Sequence, residues 1–261
     1  MRSHSLTSFC RWAKSLSSAA LMMSALLAWE LPTRAQNEVV ADDTLGGVER
    51  SQVASDGPNA ELITGGAIRS QNLFHSFETF NIDEGWRATF DNPAAINNIF
   101  ARITGGVRSN ILGTLATNGS AGLFFINPNG VLLGPQSSLD VGGSLVISTA
   151  NSIGFGNAGN YSATNPAAVS SLLSVAPSVL LFNEAESAAI TNQSQSLSTD
   201  PNNNISTAGL RVPDGEDLLL VGGDINMKAA SSGLAAFGGR IDIGGLRTVG
   251  AVRLVEDKGY Q

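Results

Sequence analysis

The chain has 261 residues, 43% hydrophobic and 14% charged, which is enough apolar content for a sizeable core and too much for wholesale disorder. A formal charge of −7 supplies no basic stripe to neutralise phosphates and argues against a nucleic-acid partner. The single cysteine, Cys10, excludes a disulfide framework and a cysteine-based zinc site.

The first segment reads as an address. Arg2, Arg11 and Lys14 precede an apolar run over 16–28, and Thr33-Arg34-Ala35 follows. A basic start, about 13 apolar residues and a small residue at the cut form the pattern of a signal peptide. Residues 1–35 are expected to be removed after Ala35, with Ala28 as the alternative cut. The run is too short for a spanning helix, which needs about 20 apolar residues. Residues 36–261 then form one mature domain. The four basic and one acidic residues lost with the leader take the charge from −7 to −10, and Cys10 and His4 leave too. A cysteine-free exported chain has two readings. Either its core needs no staples, or it must cross a second membrane unfolded, where a disulfide-closed loop would jam a narrow pore.

After residue 36, helical periodicity gives way to short β-rich runs. They include Glu61-Leu62-Ile63-Thr64, 98–103, Leu123-Phe124-Phe125-Ile126 and 144–148. Turn signals punctuate them: Asp91-Asn92-Pro93, Asn127-Pro128-Asn129-Gly130 and 200–204. Pro presets φ, Asn bonds locally to backbone and Gly accepts positive φ. Asn127 to Gly130 matches a type I turn, with Asn first, Pro second and Gly fourth. The stretches 158–176 and 194–206, rich in Ser, Ala and Asn, read as loops or excursions. Toward the C-terminus, strand candidates follow at 218–221, 224–228, 234–237, 240–243 and 251–255.

Glycine pairs recur at 142–143, 222–223, 238–239 and 244–245, and the segments 141–147, 221–227 and 237–243 align on them. Short strands at this spacing fit a sandwich, a barrel or a β-solenoid, and the glycine corners favour the solenoid.

Catalytic constellations are sparse. Asp83 and Glu84 are adjacent and would point to opposite faces of a strand. Asp42-Asp43, Asp214, Glu216 and Asp217 read as solvated turn acids. His75 sits among Phe74, Phe77 and Phe80 and reads as a packed histidine. Walker, nucleophile-elbow and calcium-repeat motifs are missing, and no cofactor or metal is expected.

Five ordered stretches carry a resemblance: 72–80 (Asn72 to Phe80), 103–113, 123–131, Gly142-Gly143-Ser144 with Ser148-Thr149-Ala150, and 238–244. Together they resemble the filamentous haemagglutinin N-terminal domain, the secretion domain of two-partner secretion exoproteins, in a cyanobacterial-like variant. The resemblance spans about 37–256. It implies an all-β, right-handed parallel β-helix with an N-terminal cap and small extra-helical β elements. It implies export by the general secretory machinery, then recognition in the periplasm by the modules of a dedicated outer-membrane β-barrel transporter. The destination would be the cell surface or medium of a Gram-negative-type bacterium, with an adhesin role toward a host or cell-surface glycan or protein. A longer passenger is expected in this family, and its absence here puts adhesion itself in question. Asn127, Pro128, Asn129 and Gly130 carry over as the transporter-recognition or structural motif. Asn92 and Pro93 carry over as its upstream partner, of which they keep two residues. The rival is a β-helical polysaccharide lyase or hydrolase, which would need clustered carboxylates or a calcium site in a groove.

Overall fold

The computed structural model describes residues 37–199 and 206–255. The leader and the turn at 200–204 lie outside the described residues. No α-helix occurs among those described.

Strands of three to ten residues wind round three faces. The first face stacks Asn72–Asn81, Asn98–Ile103, Gly122–Ile126, Leu145–Ser148, Leu218–Gly222 and Ile241–Gly245, all parallel. The second stacks Ser109–Ile111, Val131–Leu133, Ile190–Asn192 and Ile225–Met227. The third stacks Ala60–Gly65, Arg87–Phe90, Thr114–Thr117 and Ser138–Asp140, and later Ser206–Arg211 on Gly233–Ala235. Strands that neighbour each other in a sheet are a full circuit apart in sequence, so the architecture is a β-solenoid and not a sandwich or barrel.

Register fixes what each column of side chains does. On the first face, Leu73, Ile99, Leu123, Leu145, Leu218 and Ile241 are aligned, as are His75, Ala101, Phe125, Ile147, Leu220 and Ile243. As far as Leu218 and Leu220 these columns point into the lumen, and their apolar members join one core with Ile111, Leu115, Val131 and Leu133 among others. The intervening column, Phe74, Phe100, Phe124, Val146 and Leu219, points outward. The Phe74–Phe100 and Phe100–Phe124 rings stack at 4.9 and 4.8 Å, the spacing of the strands that carry them.

The outward column needs a cover, and an excursion supplies it. After Ser148 the chain leaves the coil and makes an antiparallel sheet from Ser152–Gly154, Asn160–Ser162 and Val179–Phe182. It re-enters the coil at Ile190. Ile153, Phe155, Tyr161, Leu173, Leu180 and Phe182 close over Phe74 and Phe100 as a second core. The strand expected at 251–255 is Gly250–Arg253, which joins this extra sheet against Val179–Phe182 and not the coil. The stretch 194–206 likewise contributes Leu197–Thr199, antiparallel to Ser206–Arg211.

The N-terminal end is capped. Glu38–Ala41 and Ala67–Arg69 pair antiparallel with the two halves of Asn72–Asn81, and Ser51–Ser55 pairs antiparallel with Ala60–Gly65. The sheet edge that parallel stacking leaves open is thereby occupied.

Three of the four glycine pairs sit at corners, of two kinds, while Gly244-Gly245 ends the strand Ile241–Gly245. Gly142-Gly143 and Gly238-Gly239 enter the first face, whereas Gly222-Gly223 leaves it for the second. The alignment of 221–227 with the other segments therefore joins different corners. What they share is crowding by the neighbouring coil. A Cβ at Gly142 would lie 1.9 Å from the carbonyl oxygen of Gly119, and one at Gly223 would lie 1.7 Å from that of Ser187.

Candidate functional site

Asn127 to Gly130 forms the corner between Gly122–Ile126 on the first face and Val131–Leu133 on the second. The Gly130 N–H donates to the Asn127 carbonyl at 3.0 Å, closing the turn, and Gly130 has a φ of +106°, where a side chain is strained. The Asn127 side chain is fully buried. Its Oδ1 accepts from the Asn129 N–H at 2.9 Å. Its Nδ2 donates to the Val107 carbonyl at 3.1 Å and to Ser109 Oγ at 2.9 Å, both on the preceding coil. The Asn127 N–H reaches forward to the Ser148 carbonyl at 3.0 Å. One side chain thus ties its own turn to the coil below, while its backbone ties it to the coil above. Asn129, the exposed member, adds a bond from Nδ2 to the Gly105 carbonyl at 2.9 Å.

Asn92 and Pro93 stand at a different corner, between Arg87–Phe90 on the third face and Asn98–Ile103 on the first. With its amide turned so that both atoms find partners, Asn92 donates to the Pro93 carbonyl at 3.1 Å and accepts from the Ala121 N–H at 3.3 Å. The Pro93 carbonyl also accepts from the Ile96 N–H at 2.9 Å. The two motifs are alike in joining consecutive coils, and the fold does not bring them into one site.

Beside the Asn127 corner lies a polar cleft of about 290 Å³, lined by Arg108, Pro128, Asn129, Asn151, Glu184 and Glu186 among others. Glu184 and Glu186 belong to the returning arm of the excursion. Glu186 has a φ of +62°, and its N–H donates to the Arg247 carbonyl at 2.9 Å. Arg108 donates to Asn110 Oδ1 at 3.2 and 3.0 Å. The sequence marks the turn but not this cleft, because its lining comes from separate stretches of chain, 106–108, 128–129, 149–151 and 184–188.

The other candidates have structural partners. His75 lies in the lumen, its Nδ1 3.1 Å from Ser51 Oγ and its ring against Phe77 and Phe90. Burial pushes its pKa from 6.5 down to about 3, so the ring is neutral. Glu216 accepts from Ser144 Oγ at 2.6 Å, Asp217 accepts from the Arg240 N–H at 2.8 Å, and Asp214 pairs with Arg211 at 2.6 Å. Asp83 Oδ1 accepts from the Glu84 N–H at 3.0 Å. These acids serve turns and coil-to-coil contacts. Among the described residues, no group of three or more His, Cys, Asp or Glu side chains converges as metal ligands would.

A family profile described as "TPS secretion domain" matches residues 37–259. The crystal structure of a filamentous haemagglutinin secretion domain aligns with 79% of this chain and 99% of its own, at 11% identity and a TM-score of 0.41. No curated protein matches the chain.

Proposed function

The chain belongs to the TPS secretion domain family, and we propose from this that it is handed in the periplasm to the recognition modules of a dedicated outer-membrane β-barrel transporter. The membership makes it the targeting domain of an exported two-partner secretion exoprotein. In this reading residues 1–35 are the signal peptide, the general secretory machinery carries the chain across the inner membrane, and an adhesin role at the cell surface belongs to the exported product. The observation that carries the reading is the profile match over nearly all of a solenoid.

Within it, Asn127 to Gly130 act by shaping the corner, since Asn127 is wholly buried and spends its amide on the preceding coil. Asn129, together with the cleft beside it, is the part of the motif open to a partner. Asn127→Ala strands the buried Ser109 Oγ and takes the partner from the Val107 carbonyl and the Asn129 N–H, at a cost of about 1–3 kcal/mol. It should lower both the folding stability of the purified domain and its secretion. Asn129→Ala should leave the urea midpoint nearly unchanged. If secretion nevertheless falls with Asn129→Ala, the transporter touches the corner directly.

Transit in an unfolded state gives the decisive experiment. Thr114 and Ser138 are in register on adjacent coils, with their hydroxyls 2.8 Å apart. A Thr114→Cys, Ser138→Cys chain should accumulate in the periplasm when oxidised and reach the medium when reductant is added, in cells carrying the transporter. Equal secretion of the verified disulfide form and the reduced form would overturn unfolded passage. Equal secretion with and without the transporter would overturn the assignment itself.

A further inference from the structure

The outer side of the first face holds a buried polar knot that coil stacking alone does not require. Arg102 is 1% exposed. Its Nε donates to Ser76 Oγ at 2.9 Å and its Nη1 to the Ser162 carbonyl at 2.9 Å. Its Nη2 donates to Thr44 Oγ1 at 2.7 Å and to the Ala167 carbonyl at 2.9 Å. The guanidinium lies 4.3 Å from the centre of the Tyr161 ring, whose hydroxyl donates to the His75 carbonyl at 2.7 Å. Asp42 supplies the balancing charge through hydroxyls. It accepts from Thr44 Oγ1 at 2.6 Å, Ser76 Oγ at 2.7 Å and Thr104 Oγ1 at 2.6 Å. Burial raises the Asp42 pKa, but the bonds from Thr104, Thr44 and Ser76 outweigh it and hold the carboxyl below its usual 3.8.

Two more side chains of the N-terminal region grip the excursion at its backbone. Arg69, ion-paired to Glu49 at 2.7 Å, donates to the Val169 carbonyl at 2.7 Å. Asn72 Nδ2 donates to the carbonyls of Leu173 and Val175 at 2.9 and 2.8 Å. The gripped stretch, 163–177, contains no strand. Its Val169 and Leu173 share one apolar cluster with Leu45 of the cap. The cap and this stretch, more than ninety residues apart, are therefore fastened by the same residues.

We propose that residues 163–177 are a strap that closes together with the N-terminal cap as one cooperative latch, with Arg102 at its centre. Until the excursion folds back, Arg102 lacks the Tyr161 ring and Ser162 carbonyl of the strand Asn160–Ser162 and the Ala167 carbonyl of the strap that follows it. A buried guanidinium short of partners costs several kcal/mol, so the unlatched state keeps it in water and the cap open. The use of this device rests on the export reading. A chain delivered only as far as the first coils cannot finish folding there, and closure waits for the excursion.

Amide hydrogen exchange on the purified full chain tests the coupling. Arg102→Met and Asn72→Ala should each speed exchange by about tenfold or more in both 38–45 and 163–177. Protection should persist in 123–126, 145–148 and 218–222. The informative variant is Asn72→Ala, whose lost bonds go to the strap and to Asn98 Nδ2 on the neighbouring coil, and none to 38–45. Acceleration confined to the strap, or none at all, would overturn the latch. If Arg102→Met does not fold, Asn72→Ala decides alone. The measurement needs no transporter, so uncoupled exchange would leave the export reading standing, and transporter-independent secretion would leave the latch standing.

Discussion

The first and last coils are made from the same repeating strand and end in opposite ways. At the N-terminal end antiparallel strands occupy the sheet edge, and the outward column of Phe74, Phe100 and Phe124 lies under the excursion. At the C-terminal end, the lumen columns terminate in Ile241 and Ile243, which are 40% and 54% exposed although Leu218 and Leu220, one coil below, are fully buried. The outward column changes chemistry along the stack, from Phe74, Phe100, Phe124, Val146 and Leu219 to Asp242. Stacking fixes which residues share a column. Whether a position in that column is core or surface depends on what lies above it.

The contrast can be broken at its buried end first. Phe100→Ala should cost about 3–5 kcal/mol, since it empties the middle of the ring stack beneath the excursion. Urea unfolding of the purified domain reads this directly, and a loss under about 1 kcal/mol would mean that the excursion is not a true cover. Within one lumen column, Leu220→Ala should cost about 2–5 kcal/mol while Ile243→Ala, one coil on, should cost less than about 1.5. Equal losses would mean that something covers the last coil in solution.

Between pH 6.5 and 4.5 a smaller effect reads the buried end by pH. The folded pKa of His75, about 3, lies below the unfolded value of 6.5, so the unfolded chain takes up the proton first as pH falls. The histidine's contribution is full above pH 6.5, declines by about 1.4 kcal/mol per pH unit below it, and levels off near pH 3. His75→Gln should flatten the urea midpoint between pH 6.5 and 4.5 relative to the parent. A parent and variant with parallel profiles would show that the ring titrates normally in the folded lumen.

Strand positions were legible where residue chemistry is local. Gly, Asn and Pro mark the corners, and β-branched or aromatic runs mark strands such as Gly122–Ile126 and Leu145–Ser148. The Asn127 turn was legible for the same reason. Its partners Val107 and Ser109 were not, because register couples residues about twenty apart that share no sequence signal. The excursion was legible in the Ser-, Ala- and Asn-rich composition of 158–176, but its fastening was not. Arg69, Asn72 and Arg102 hold it through its own carbonyls, a role that any residue in 163–177 could fill. The strand candidate at 251–255 is a strand, Gly250–Arg253, but its sheet was not legible, because alternation alone does not distinguish a parallel neighbour from an antiparallel one.

The departure of the chain at Ser148 and its return at Ile190 leave the coil register intact: Ile190 meets Val131 as though nothing had intervened. Closing a longer loop costs only about 0.6 kcal/mol for each doubling of its length. A stacked coil of this kind therefore tolerates grafts at its corners, and foreign sequence spliced there would be displayed on the flank of the rod without altering the thread of the screw.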